Sequence, residues 1–453
     1  MIVMPSADLD LAASDLIKSA FGHAGQKCSA ASLAILVGST GRSKRFARQL
    51  VDATTSLRIG PPTDPLAEVG PVIEVPHGKL QWALTTLDDG EEWLIKPRRV
   101  DAGPETADRL WTPGIRAGVQ PGSRFHREEF FGPVLGVMHA SSLTHAIELQ
   151  NAVAYGLTAG LHTQNPHDLA VWLDRVEAGN LYVNRGITGA IVQRQPFGGW
   201  KRSSVGAGAK AGGPNYLIGL GSWRASAGSQ GSTTLHLRGL DSRITDIIEA
   251  AQPSLGYEAF EWLRRAALSD AIAWDREFGQ VKDVSKLGIE RNLFRYRPVA
   301  HVAVRATADA AWHVMLRVAI AGVRSGAGLV VSASAGIPAP VRRILTDQGI
   351  PVFVETDEEW LDRMSRPAPN AENAGDAESS RPTRARLVGG RDAVKALHRA
   401  LAERIGGDPD LAVYDNEVTV AGRLEVLPFL REQSVTITAH RFGNPDHSFE
   451  SVI

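Results

Sequence analysis

Phe21-Gly-His-Ala-Gly-Gln-Lys-Cys-Ser-Ala-Ala-Ser32 runs directly into Leu33-Ala-Ile-Leu-Val37. Upstream, Leu9, Leu11, Leu16, Ile17 and Phe21 recur at roughly helical spacing, while Leu33 to Val37 is an apolar run of strand length. The stretch therefore reads as helix, small-residue turn, buried strand, which is the start of an α/β layer. In the turn stands Cys28, the single cysteine of 453 residues, between Gly22, Ala24 and Gly25 on one side and Ser29, Ala30 and Ala31 on the other. Little bulk crowds the thiol. A nucleophilic thiolate needs such access and a neighbour that favours its charged form, and Lys27 is placed to be that neighbour. A lone cysteine also serves as a small buried hydrophobe, so the pattern alone leaves both roles open.

Outward from this turn, the pattern predicts a helix over 8–22, a strand over 33–38 and a basic amphipathic helix over 42–55. Residues 59–71 are punctuated by proline and glycine and read as an extended loop. A helix over 75–87 and strands near 92–96, 115–118 and 134–139 follow. Helices 142–152 and 166–177 then alternate with strands 157–162 and 180–184. Such alternation implies a largely parallel sheet. Residues 215–223 read as an apolar strand whose unpaired edge calls for a second copy of the chain. The glycines from Gly206 to Gly213 do not lie between a strand and a long helix, so they read as a structural loop.

The division expected is 1–223, a linker over 224–238 that is flexible by composition, and 239–453. In the last part, strands over 299–305, 328–332 and 352–354 alternate with helices 308–321 and 339–348, a Rossmann-like order. A dinucleotide site wants glycines in the first strand-to-helix turn. The turn Arg305-Ala-Thr-Ala-Asp309 has none, and the second strand ends in Ser332-Ala333 without an acidic residue. This block reads as a degenerate Rossmann-like domain. Residues 365–386 are polar and read as a disordered insert. A helix over 393–404 and strands over 418–427 and 434–439 complete the chain.

Composition excludes several classes. The net charge of −1 gives no electrostatic basis for nucleic acid or an anionic membrane surface. One cysteine forbids an intrachain disulfide and fits a reducing compartment. No basic region followed by an apolar one marks the N-terminus, and no apolar run approaches the ~18 residues that span a bilayer. A cytoplasmic location is expected. Thirteen histidines are scattered without a His-x-x-x-His pair, so no metal site is expected.

Four stretches in order carry a resemblance to a known family. Gly22-His-Ala-Gly-Gln-Lys-Cys-Ser-Ala-Ala-Ser32 resembles the nucleophile loop of the aldehyde dehydrogenase superfamily, in its glutamate-semialdehyde (1-pyrroline-5-carboxylate) dehydrogenase branch. Glu128-Glu-Phe-Phe-Gly-Pro-Val134, the run from Asn180 through Thr188-Gly-Ala190 and Phe197 to Gly199, and Gly206–Pro214 match in the same order. Arg291-Asn-Leu-Phe-Arg-Tyr-Arg-Pro298 and Val435–Gly443 resemble the extra C-terminal domain of the long bifunctional proline utilization A proteins. The resemblance implies an aldehyde dehydrogenase catalytic domain followed by a Rossmann-like α/β domain. It also implies that the cofactor domain, with the general base, precedes Met1 in a longer or split protein, as an upstream polypeptide partner.

By that resemblance Cys28 is the nucleophile, Glu129 binds the nicotinamide ribose and Phe131 packs beside the nicotinamide. Ser29 is a hydroxyl donor to the substrate, Thr188, Gly189 and Ala190 anchor its α-carboxylate and Phe197 packs on its aliphatic part. The cofactor implied is NAD, with FAD only in the proline dehydrogenase part of such proteins, outside this sequence. The reaction implied is oxidation of a small-molecule substrate, L-glutamate γ-semialdehyde, to glutamate in proline catabolism, within a homo-oligomer. A catalytically silent remnant with a structural role is the alternative.

Overall fold

The computed structural model describes residues 1–104, 106–206, 208–224, 240–366 and 382–453. Its strands begin with β1 (Ile2–Val3), β2 (Leu33–Val37), β3 (Glu92–Ile95), β4 (Gly114–Ala117) and β5 (Val134–Ala140). They continue with the short β6 (Tyr155–Gly156), β7 (Thr158–His162), β8 (Asn180–Val183) and the short β9 (Trp200–Lys201). Then come β10 (Lys282–Asp283), β11 (Glu290–Pro298), β12 (Val302–Ala306), β13 (Leu329–Ala333) and β14 (Val352–Val354). After them come β15 (Arg384–Val388), β16 (Ala412–Tyr414), β17 (Leu430–Thr438) and a short antiparallel pair, β18 (His440–Arg441) and β19 (Asn444–Pro445).

Two sheets organise the molecule. The larger has ten strands in the order β10-β11-β17-β8-β7-β1-β2-β5-β4-β3. From β17 to β4 every pairing is parallel, and the two edges turn antiparallel. Its middle strands are apolar on both faces because helices cover both, as the run Leu33–Val37 requires. The helix Leu9–Phe21 starts at Asp8, whose carboxylate accepts from Leu11 N at 3.2 Å. Lys44–Thr55 starts at Ser43 in the same way and buries only Phe46, Leu50 and Thr54, leaving its basic face outside. The smaller sheet is fully parallel in the order β14-β13-β12-β15-β16, the strand order of a Rossmann-like unit.

Several expectations need correction. The boundary at 223–239 does not divide the sheets, because β11 and β17 pair over nine residues and β17 pairs in parallel with β8. The C-terminal half thus supplies one edge of the first sheet. Residues 215–223 are not a strand. Tyr216–Leu220 is an exposed 3₁₀ turn, held by Ile218 N to Asn215 O at 3.0 Å, so the unpaired strand edge on which a second copy was to dock does not exist. An apolar run becomes a strand only when a partner edge lies beside it, and the flanking Gly219 and Gly221 offer the turn instead.

Nor is 418–427 a strand. Gly422–Glu425 is a single helical turn, and Leu427–Phe429 a 3₁₀ turn. Gly422 is pressed so closely on Ser269 and Asp270 that a Cβ would lie 2.4 Å from the Ser269 carbonyl oxygen. The insert expected over 365–386 is shorter than composition suggested. Ser365 closes the helix Asp357–Ser365, and Arg384–Val388 is the buried strand β15. Residues 367–381 lie outside the described residues, as do 225–239, which hold nearly all of the expected linker. The helix expected over 308–321 runs from Trp312 to Ser325, because Asp309 is spent on the preceding turn, accepting from Thr307 Oγ1 and from Gly390 N at 3.1 Å.

That carboxylate accepts at the N-terminus of helix Arg391–Arg404, which follows β15, and so ties the first strand-to-helix turn to its neighbour. Beside it, Arg305 is fully buried and donates to Ser332 Oγ at 2.6 Å, Ser334 Oγ at 2.7 Å and Asp357 Oδ1 at 2.5 Å. The crevice at the carboxyl ends of β12 and β13 is therefore filled by the chain's own polar side chains.

Candidate active site

The turn around Cys28 is tight. His23, Ala24 and Gly25 all have positive φ (56°, 54° and 69°). Gly25 is obligatory there, since a Cβ would stand 2.2 Å from the Gly132 carbonyl oxygen. Gln26 fastens the turn from both ends of its amide, donating to Phe131 O at 3.1 Å and accepting from Ile73 N at 2.8 Å. Ala30 N closes on Lys27 O at 3.0 Å, leaving Cys28 at the crest of a turn. Its thiol is free and exposed, and its N–H finds no acceptor among the described residues.

Opposite the thiol stands the segment Glu128-Glu-Phe-Phe-Gly132. Its backbone is set by Phe130, which stacks on Phe125 and Trp82 at centroid distances of 4.8 and 5.3 Å. Beneath these rings lies Arg116, fully buried and paired with Glu91, its guanidinium 4.3 Å from the Phe125 centroid. Phe131 takes φ +56° and stays partly exposed. Glu128 is held outward by Arg124 at 2.7 Å. Glu129 is exposed as a residue, and the partial burial of its carboxyl raises its pKa, with Lys79 opposing.

Cys28, Glu129 and Phe131 line one cavity of about 380 Å³, with Ile187 in its wall. The other residues singled out from the sequence do not line it. Ser29 is buried, and Thr188, Gly189 and Ala190 follow Ile187 in sequence without reaching the lining, as does Phe197 further on. Phe197 exchanges backbone bonds with Ala211 at 3.0 and 2.9 Å. In the Thr188–Gly–Ala190 loop, Gly189 has φ +83°, and none of the three N–H groups finds an acceptor among the described residues. N–H groups left free in such a turn are open to an anion.

One residue that the sequence reading passed over connects the two loops. Ser19, fully buried on the helix Leu9–Phe21, accepts from Ile187 N through its Oγ at 3.1 Å and donates to Asp15 O at 2.6 Å. Its carbonyl accepts from Ala31 N at 3.0 Å. The thiol turn and the N–H loop are thus hung on one residue, the first on its carbonyl and the second on its hydroxyl. Its signal was only that a polar residue recurs on the buried face of an apolar helix. The N–H loop is braced from the other side by β11, where Glu290 pairs with Arg185 and Asn292 Oδ1 accepts from Gln195 Nε2 at 2.7 Å.

Residues 1–219 match the Aldehyde dehydrogenase family.

This segment belongs to the aldehyde dehydrogenase family.

The aldehyde dehydrogenase segment is 40% identical over 221 residues to 1-pyrroline-5-carboxylate dehydrogenase of Geobacillus sp. (strain WCH70), covering 48% of this chain and 41% of that protein. It is 39% identical over 219 residues to the protein of the same name from Bacillus subtilis (strain 168), again covering 41% of it. The structure of Proline Utilization A (PutA) from Corynebacterium freiburgense is similar over 98% of this chain and 39% of its own, at 41% identity and a TM-score of 0.75. The likeness thus extends through the C-terminal half as well. The chain spans about two fifths of the length of these relatives. Among the described residues no helix is long and apolar enough to cross a membrane, and no three His, Cys, Asp or Glu residues gather as a metal site.

Proposed function

We propose that this chain supplies the thiol side of an active site that oxidises L-glutamate γ-semialdehyde, formed from 1-pyrroline-5-carboxylate, to glutamate. The observation that carries the reading is the cavity shared by an exposed thiol, a carboxyl and a ring, bordered by a loop of free N–H groups. Cys28 Sγ forms a bond to the aldehyde carbon while the carbonyl π pair moves to oxygen, giving a thiohemiacetal. The free N–H of Cys28 donates to that oxyanion. Loss of hydride from the same carbon leaves a thioester on Sγ, and water then breaks the C–S bond to release the carboxylate. The N–H groups of Thr188, Gly189 and Ala190 hold the substrate's distant α-carboxylate, with Ser29 and Phe197 completing its environment.

The residues present fit the nicotinamide end of NAD. Glu129 offers a carboxyl to a ribose hydroxyl, and Phe131 offers a ring edge, both on the cavity that Cys28 lines. The chemistry NAD supplies when bound is hydride acceptance. Relatives of the segment carry the name of the same dehydrogenase, which supports this substrate over other aldehydes.

Alkylation of Cys28 by iodoacetamide, followed by mass spectrometry, tests the reading. The native protein is expected to be labelled at a rate within about tenfold of a free thiol, because an exposed thiolate is reactive. Glutamate semialdehyde is expected to slow labelling at concentrations where propanal does not. Labelling only after denaturation, or equal protection by both aldehydes, removes the proposal.

A further inference from the structure

A second, larger cavity of about 700 Å³ lies where the loop following Phe197 meets the C-terminal half, walled by Trp200, Trp223, Tyr414, Arg384 and Arg431. Its lining carries five cations and five carboxylates, but they are not all paired with one another. Most cations around it have their own carboxylate: Arg386 pairs with Glu425 at 3.1 Å, Arg202 with Asp410 at 3.1 Å and Lys201 with Glu177 at 2.7 Å. Of the carboxylates, Asp410 and Glu425 stand in those pairs and Glu417 is exposed to solvent. Asp415 meets His398 at 2.8 Å, and Glu432 accepts from Lys210 N at 2.6 Å and Asn215 Nδ2 at 2.5 Å.

Arg384 and Arg431 are left over. Arg384 is buried and donates only to the carbonyls of Pro428 and Leu430, at 2.6 and 2.8 Å. Arg431 donates only to Thr383 Oγ1 at 3.2 Å. Each guanidinium rests over an aromatic ring, Arg431 on Trp200 and Arg384 on Tyr414, both 5.7 Å from the centroid. The rings fix the planes of the guanidiniums and leave most of their N–H donors unused. Burial and the neighbouring charge of Arg384 push the Arg431 pKa down to about 10. Glu177 and Glu432 act on these charges only from beyond ion-pair distance, and two like charges held near each other without a direct partner favour an oxyanion between them.

We propose that this cavity binds a small organic anion through Arg384 and Arg431, its carboxylate or phosphate held by the two guanidiniums and its body lying among Trp200, Trp223 and Tyr414. The cavity adjoins the one that Cys28 lines, with Arg202 in the wall of both, but the proposal does not depend on aldehyde oxidation. The cavity is far larger than one oxyanion, which favours a ligand with an apolar or aromatic body.

Titration calorimetry of the full chain with glutarate, AMP and inorganic phosphate, each to about 5 mM, tests this at the weak end of specific binding. At least one is expected to bind saturably at one site per chain. Glutarate binding alone marks a carboxylate, and AMP binding tighter than phosphate marks a phosphate ester. Arg431→Gln is expected to weaken binding about tenfold or more, as loss of a charge-assisted contact should, while the exposed Arg343→Gln leaves it unchanged. Arg431→Lys, which keeps the charge and loses the fork, is expected to fall between and covers a folding failure of the first variant. No binding by any of the three, or equal binding by both Arg431 variants and the native chain, overturns the proposal.

Discussion

The chemistry rests on a few side chains whose partners are far away in sequence. Cys28, Gly25 and the Glu128–Gly132 segment could be read from the sequence because their local patterns are unusual. Ser19 could not, because its value lies in the residue 168 positions away to which it is bonded. Ser19→Ala is expected to leave the buried Ile187 N–H without an acceptor, costing about 1–3 kcal/mol in urea unfolding. It should also raise the concentration of glutamate semialdehyde that protects Cys28 from alkylation, with no change for propanal. A change in stability alone would show Ser19 to be a structural residue only. His162 makes a second residue-scale case. Burial holds its pKa down to about 3, and its Nε2 lies 3.8 Å from Asp15, whose carboxyl burial lifts to about 6. The unfolded chain binds the imidazole proton near pH 6.5, so this contribution to stability is present above that pH. It is lost as pH falls toward 3, by up to about 1.4 kcal/mol per unit. The stability advantage of native protein over His162→Gln should therefore shrink between pH 6.5 and 4.5. A constant difference would show that His162 titrates normally.

At the scale of elements, the parts with a clear period were legible and the parts defined by partners were not. Helices with side-chain caps, such as those starting at Asp8, Ser43 and Ser142, fall close to the expected limits because their start signals are local. β15 was missed because Arg384 and Arg386 give it the charge of a solvated segment. Both are buried, and their donors end on backbone carbonyls and on Glu425. The same holds for Arg317, which lies inside the buried helix Trp312–Ser325 and meets Asp270 in two bonds of 2.6 and 2.7 Å. A charge in a sequence reads as exposed until its counter-charge is located. Residues 215–223 and 418–427 erred in the opposite sense, as apolar runs with no strand edge to join.

For the whole molecule, the decisive feature is that β17, from the end of the chain, lies between β11 and β8. The aldehyde dehydrogenase segment is therefore not closed by its own strands. A fragment of residues 1–223 is expected to expose the β8 edge, to self-associate on size exclusion and to unfold over a broad urea range. A monomeric fragment with a sharp transition at the midpoint of the full chain would contradict this. By itself the sequence determined that Leu33–Val37 is a buried strand, that an α/β layer surrounds it and that Cys28 crowns a small-residue turn, since period, composition and local sterics settle such features. Only the tertiary structure decided which distant segments complete the sheet, that Cys28 shares a cavity with Glu129 and Phe131, and that Arg384 and Arg431 line a cavity with no ion-pair partner among the described residues. Those are facts of pairing between residues far apart in the chain, and pairing energy depends on the partner as much as on the residue.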